Sequence, residues 1–144
     1  MDIPFNRRDV GYTVISRFEE AFRGFLADHL STLFGNYQEG IPSGVLENAK
    51  ERTSKNNWDT PRDFLEDSEF PDLKDIVGYN GMHKNYFSDS DLDSETFCHI
   101  MDELYFLRCK IAHVRGYFTS LDLDKLLENT KKIAKYLEQY GKEF

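Results

Sequence analysis

The stretch DVGYTVISRFEEAFRGFLADHLSTL, Asp9 to Leu33, decides the fold class. Apolar residues recur in it at Val10, Val14, Phe18, Phe22, Phe25, Leu26, Leu30 and Leu33. Steps of three and four put these on one side of a helix, which predicts a long amphipathic helix with a single core-facing stripe. Downstream, Gly35 and the turn-rich residues 36–44 end that helix, and Pro42 is placed to begin the next element. Ser43 to Asn56 reads as a polar helix with Val45, Leu46 and Ala49 as its apolar contacts. Thr60-Pro61-Arg62-Asp63 has the form of a helix start, a capping threonine followed by proline, so a short helix is expected over Pro61–Asp67 and another over Pro71–Val77.

Gly78 to Asp93 is the least regular part, expected as a loop containing a helical turn. Ser94 then caps a helix running to His113 and ending near Gly116. A last helix is expected to start after Ser120 and run to Tyr140, with Leu123, Leu126, Leu127, Ile133, Ala134 and Leu137 on one face and Gly141 as its stop. No stretch alternates as a strand does, and no internal repeat is visible. The expected architecture is an all-α, up-and-down bundle of three long helices plus short ones.

Composition sets the bounds. A chain of 144 residues fits one domain, here 1–144, with room for a real core. A hydrophobic fraction of 40% with 15% aromatic residues marks a globular protein rather than a disordered one. The formal net charge is −8, from 26 acidic and 18 basic side chains. That excess argues against broad, non-specific nucleic-acid binding, which needs a basic surface, and leaves room for a small local basic site. No apolar run is long enough to cross a membrane, and Met1 to Arg8 lacks the apolar segment of a signal peptide, so a cytoplasmic location is expected. Cys98 and Cys109 fall on one predicted helix, roughly 16 Å apart at about 1.5 Å per residue. A disulfide needs Cα atoms within about 7 Å, so these are expected as reduced thiols.

The chemistry concentrates in Arg108-Cys109-Lys110-Ile111-Ala112-His113. Arginine offers a permanently charged planar fork suited to phosphate oxygens, and histidine titrates near neutral pH. On a helical wheel Phe97, Ile100, Met101, Leu104, Leu107 and Ile111 form the core stripe, with Arg108 at its edge. Tyr105 and Leu104 precede Arg108 by three and four residues, so its partner must be a ligand or an acid on another helix, such as Glu19 or Glu20. The opposite side carries Cys98, Tyr105, Phe106 and Cys109 beside Asp102 and His113, a second apolar face that is a candidate homodimer contact. Arg108 and His113 lie roughly 140° apart around the axis at about 100° per residue. A twofold dimer could reunite them in one groove.

The segment Leu107 to His113 is similar to the LRNxxAH form of the motif that marks the HEPN superfamily (higher eukaryotes and prokaryotes nucleotide-binding domains). The resemblance extends through Phe25–Leu30, Leu33–Tyr37, Ile41-Pro42, Ala49–Arg52, Asp72–Ile76 and the Leu121–Leu137 helix. Together these look like the subgroup found in nuclear messenger-RNA surveillance endoribonucleases and in bacterial ATPase-linked proteins. The resemblance implies a helical bundle, commonly a homodimer with the motif helices at the dimer groove, binding RNA or nucleotides in RNA processing, toxin action or antiphage defence. It also implies an ATPase as partner or fused domain. Active members cut RNA without metal or cofactor and leave a cyclic phosphate. His113 would then act as acid or base on the 2′-hydroxyl or the leaving oxygen, and Arg108 would stabilise the phosphorane-like transition state. Cys109, Lys110 and Arg115 would be secondary binding residues. Where members carry a polar residue after the arginine this chain has Cys109, which removes an amide that would orient the phosphate. A purely structural dimerisation domain of a larger ATPase-linked assembly is the alternative.

Other constellations read more plainly as structure. Asp89 to Glu95 begins like a calcium loop but lacks the glycine at its sixth position and the glutamate at its twelfth. His99 and Glu103 are one helical turn apart and supply two metal ligands at most. Lys50, Arg52 and Lys55 with Trp58 could meet a nucleic-acid strand, but a solvated polar helix accounts for them as well.

Overall fold

The computed structural model describes residues 6–87, 92–113 and 117–139. They form seven α-helices, α1 (Arg7–Leu33), α2 (Ser43–Thr53), α3 (Pro61–Glu66), α4 (Phe70–Val77), α5 (Met82–Phe87), α6 (Ser94–Ala112) and α7 (Ser120–Gln139), with a 3₁₀ turn at Tyr37–Gly40. No strand occurs among the described residues, and the all-α expectation holds.

Helix α1 is the axle, packed on α7, α3, α6 and α4. Its start is fixed by Asn6, whose side-chain oxygen accepts from the backbone N–H groups of Arg8 and Asp9 at 3.0 and 3.3 Å. Its buried set is wider than the expected stripe because neighbours cover several sides: Ile15 and Ala21 join Phe18, Phe22, Phe25, Leu26 and Leu30. Val10 is left exposed, and Val14 and Leu33 are half-buried. Aromatic rings dominate the centre. Phe22 stacks on Phe18 and Phe25 at 5.7 and 6.2 Å between centroids, and Phe97 of α6 stacks on Phe22 at 6.2 Å. These are favourable ring distances, and each ring removes a large apolar area from water.

The helix starts follow local chemistry. Thr60 accepts from the Asp63 N–H at 3.1 Å with Pro61 at the first helical position, as expected for α3. The cap of α6 is Asp93, not Ser94: its carboxylate accepts from the Thr96 N–H at 2.7 Å, and Ser94 is the first helical residue. Helix α7 is likewise capped one residue early. Thr119 and Asp122 exchange bonds, the Asp122 N–H reaching Thr119 Oγ1 at 3.1 Å and the Thr119 N–H reaching Asp122 Oδ2 at 3.0 Å. The expected helical turn within Gly78–Asp93 is α5, whose Phe87 and Met82 are buried.

Trp58 is buried rather than available to a nucleic-acid strand. Its Nε1 donates to Asp67 at 2.8 Å, its carbonyl accepts from the Tyr37 hydroxyl at 2.7 Å, and its ring meets Phe64 edge-on. Cys98 and Cys109 are both free and half-buried. The stretch Asp89–Asp91, Arg115, Gly116 and Gly141 lie outside the described residues. Among the described residues no helix is long and apolar enough to cross a membrane, and no three His, Cys, Asp or Glu side chains are grouped to hold a metal.

Candidate functional site

Helix α6 buries the six residues read from its wheel, Phe97, Ile100, Met101, Leu104, Leu107 and Ile111. With that stripe fixed against the core, Arg108 is forced to its edge, facing α1 and α4. There Arg108 Nε donates to Glu19 of α1 in a charge-assisted bond, so the acid expected from another helix is Glu19. The guanidinium carbon also lies 5.9 Å from the Phe70 ring centroid, and the Tyr105 ring stacks with Phe70 at 6.0 Å. Arg108 is therefore held from two directions. Its terminal nitrogens, Nη1 and Nη2, make no hydrogen bond among the described residues.

Glu19 is itself gripped. Its second oxygen lies 3.4 Å from Arg23 Nη2, one turn along α1. Arg23 is the deep anchor: Nη1 donates to the Leu65 carbonyl at 2.9 Å and to Ser68 Oγ at 3.1 Å, tying α1 to the end of α3. Burial pushes the Arg23 guanidinium below its ordinary pKa, and the Glu19 carboxylate opposes that shift. Sequence reading passed over Arg23. The available signal was a basic residue set between Phe22 and Gly24 inside the apolar stretch, four residues after Glu19.

A cleft of about 440 Å³ opens beside this ladder, walled by α1, α3 and α6. Arg108, Arg23 and Arg62 face Glu19, Glu20 and Glu66 across it, with Tyr12 and Ser16 further along α1. Arg62 Nε lies 3.5 Å from Glu66, so the cleft is close to charge-neutral and internally paired. Its volume is within the range of small-molecule sites.

The other sequence-derived candidates go elsewhere. His113 is the exposed residue after α6; its backbone N–H donates to the Cys109 carbonyl at 2.9 Å, and its own carbonyl accepts from Arg8 at 3.3 Å. It does not line the cleft. Cys109 faces the outer side, where a hydrogen bond with its thiol raises the Tyr105 hydroxyl above its usual pKa. Lys110 is engaged with Asp122 at 3.2 Å and sits 5.0 Å from the Phe106 ring. Although burial raises Asp122, hydrogen bonds from Thr119 and Lys110 hold it below the ordinary carboxylate range. Arg115 lies outside the described residues. The fold thus brings Arg108 together with Glu19, Arg23 and Arg62, and sets His113 and Cys109 apart from that cluster.

The second face of α6 is exposed as its wheel implied, with Tyr105 at 41% and Phe106 at 60% of their surface in solvent. Compared with protein families, with curated proteins and with solved structures, the chain gives no match.

Proposed function

We propose that this chain is a HEPN-type helical module that binds RNA or nucleotides by a phosphate at Arg108 and self-associates through the outer face of α6. One observation carries the reading: Arg108 is fixed through Nε by Glu19 and against Phe70, while its terminal fork has no partner among the described residues. A guanidinium held in this way presents two parallel N–H groups with little ordering left to lose, the arrangement that suits a phosphate oxygen pair. In the motif's chemistry the 2′-oxygen bonds to phosphorus as the bond to the 5′-oxygen breaks, giving a cyclic phosphate and a free 5′-hydroxyl. His113 would take the proton from the 2′-hydroxyl or deliver one to the 5′-oxygen, and Arg108 would hold the charge that builds on phosphorus-bound oxygen. An RNA-processing or defence setting, with an ATPase as partner or fused domain, belongs to this proposal.

The test uses single-stranded RNA in EDTA. A ribonuclease cuts it to cyclic-phosphate ends, and His113→Ala or Arg108→Ala abolishes the cutting; cutting that survives His113→Ala removes the site assignment. Binding without cutting, lost in Arg108→Ala, identifies a binding module. The structural dimerisation reading is favoured by one observation, that Arg108 already has Glu19 while His113 stands outside the cleft. Neither binding nor cutting, in a protein that dimerises, establishes it.

A further inference from the structure

We propose that the cleft between α1, α3 and α6 seats one nucleotide within a single chain, its phosphate on the terminal fork of Arg108 and its base stacked on Tyr12. This rests on the phosphate reading of Arg108 and adds to it the place of the base.

Three observations converge. The first is direction. Arg8 of α1 reaches the His113 carbonyl, while Glu19 of α1 meets Arg108. Low numbers on α1 face high numbers on α6, so the two helices run oppositely and the cleft has two distinct ends. Arg108, Glu19 and Arg23 mark one end; Tyr12 and Ala112, next to His113, mark the other. Tyr12 lies one helical turn after Arg8, hence at the His113 end. A strand laid along the cleft from Arg108 reaches Ala112, the residue before His113, without a second protomer.

The second is the state of Tyr12. Its side chain is 63% exposed at the rim, and among the described residues it makes no hydrogen bond and no ring contact. Every base offers a π-face, so an aromatic side chain on a groove wall is a general platform for single-stranded nucleic acid. Seven residues of helix separate Tyr12 from Glu19, roughly 10 Å along the axis. That leaves room for a ribose between the two contacts.

The third is charge. Three arginines meet three glutamates in the cleft, and Arg62–Glu66 and Glu19–Arg23 are paired at 3.5 and 3.4 Å. Donor capacity remains on the terminal nitrogens of Arg62, engaged through Nε alone, and on the Arg108 fork, the one held by both Glu19 and Phe70. One phosphate is accommodated there; a di- or triphosphate would bring further negative charge against Glu19, Glu20 and Glu66. The ligand is therefore a single phosphodiester or a nucleoside monophosphate.

The measurement is binding of adenosine 5′-monophosphate, ribose 5-phosphate and inorganic phosphate to the full chain, by calorimetry at fixed salt, for wild type, Tyr12→Ala, Tyr12→Phe and Arg108→Ala. Wild type should bind the nucleotide about tenfold or more tightly than ribose 5-phosphate, the range expected for stacking one base. Tyr12→Ala should erase that difference and leave ribose 5-phosphate unchanged, Tyr12→Phe should keep it, and Arg108→Ala should weaken all three ligands. An unchanged preference in Tyr12→Ala, with binding still dependent on Arg108, overturns the base platform and leaves the phosphate site standing. Wild-type protein that binds none of the three overturns the phosphate site as well. An exposed Tyr12 can be changed without loss of the fold, and an unaltered melting temperature verifies this for each variant.

Discussion

At the scale of the residue, Glu19 does two things that a surface glutamate does not. It neutralises a partly exposed arginine and a half-buried one together, and it orients Arg108 by taking only Nε. Removing its charge leaves Arg23, already destabilised as a cation by burial, facing Arg108 without the acid between them. Glu19→Gln should therefore lower stability by about 1–3 kcal/mol, the cost of losing hydrogen bonds to charged groups, measured by urea unfolding with an unchanged m-value. No change in midpoint would mean that solvent screens the ladder completely. At Gly40 a Cβ would overlap the Phe34 ring and Leu30, both packed beneath the 3₁₀ turn. Gly40→Ala should cost about 1–3 kcal/mol, as overpacking does, and a melting temperature equal to wild type would show that the turn shifts freely.

Among the elements, α7 is the one tied to the site helix by charge. Asp122 closes its first turn with Thr119 and accepts from Lys110 of α6. Because hydrogen bonds hold the folded carboxylate below its ordinary value, Asp122 contributes stability above about pH 4, the unfolded range. That contribution is lost as pH falls through the lower, folded value. Asp72 works in the opposite sense: burial raises its pKa, so its contribution grows as pH falls. In acid unfolding Asp122→Asn should be less stable than wild type at pH 6 and should converge on it towards pH 2–3. Parallel curves across that range would remove Asp122 from the acid response. Lys110 is spent on this contact and on the Phe106 ring, so phosphate affinity should depend far more on Arg108 than on Lys110.

For the whole molecule, the outer face of α6 and the cleft look in different directions. Tyr105, Phe106 and Cys109 are turned away from the cleft, so assembly through that face and ligand binding beside α1 are separable properties. Phe106→Glu would place a charge in a face proposed to be covered. Light scattering should give a dimer for wild type and a monomer for Phe106→Glu, with nucleotide binding unaffected. A wild-type monomer at high concentration would count against self-association, and a dimer insensitive to this change would move the interface elsewhere.

The 3.6-residue periodicity of Asp9–Leu33, the wheel of Ser94–His113 and the Thr60-Pro61 start were enough to read helices and their buried sides, because those signals are local. The α6 stripe was legible to the residue, and the absence of an acid one turn before Arg108 pointed correctly to a partner on another helix. The caps of α6 and α7 were misplaced by one residue, since Asp93 and Ser94, like Thr119 and Ser120, are both competent caps and only the turn geometry selects. Which glutamate meets Arg108, that Arg23 anchors it, that Trp58 is covered, and that Tyr12 ends up at the His113 end of a cleft were decided by tertiary packing. These depend on how α1, α3 and α6 cross, and a side chain's distant neighbours are set by crossing geometry rather than by spacing along the chain.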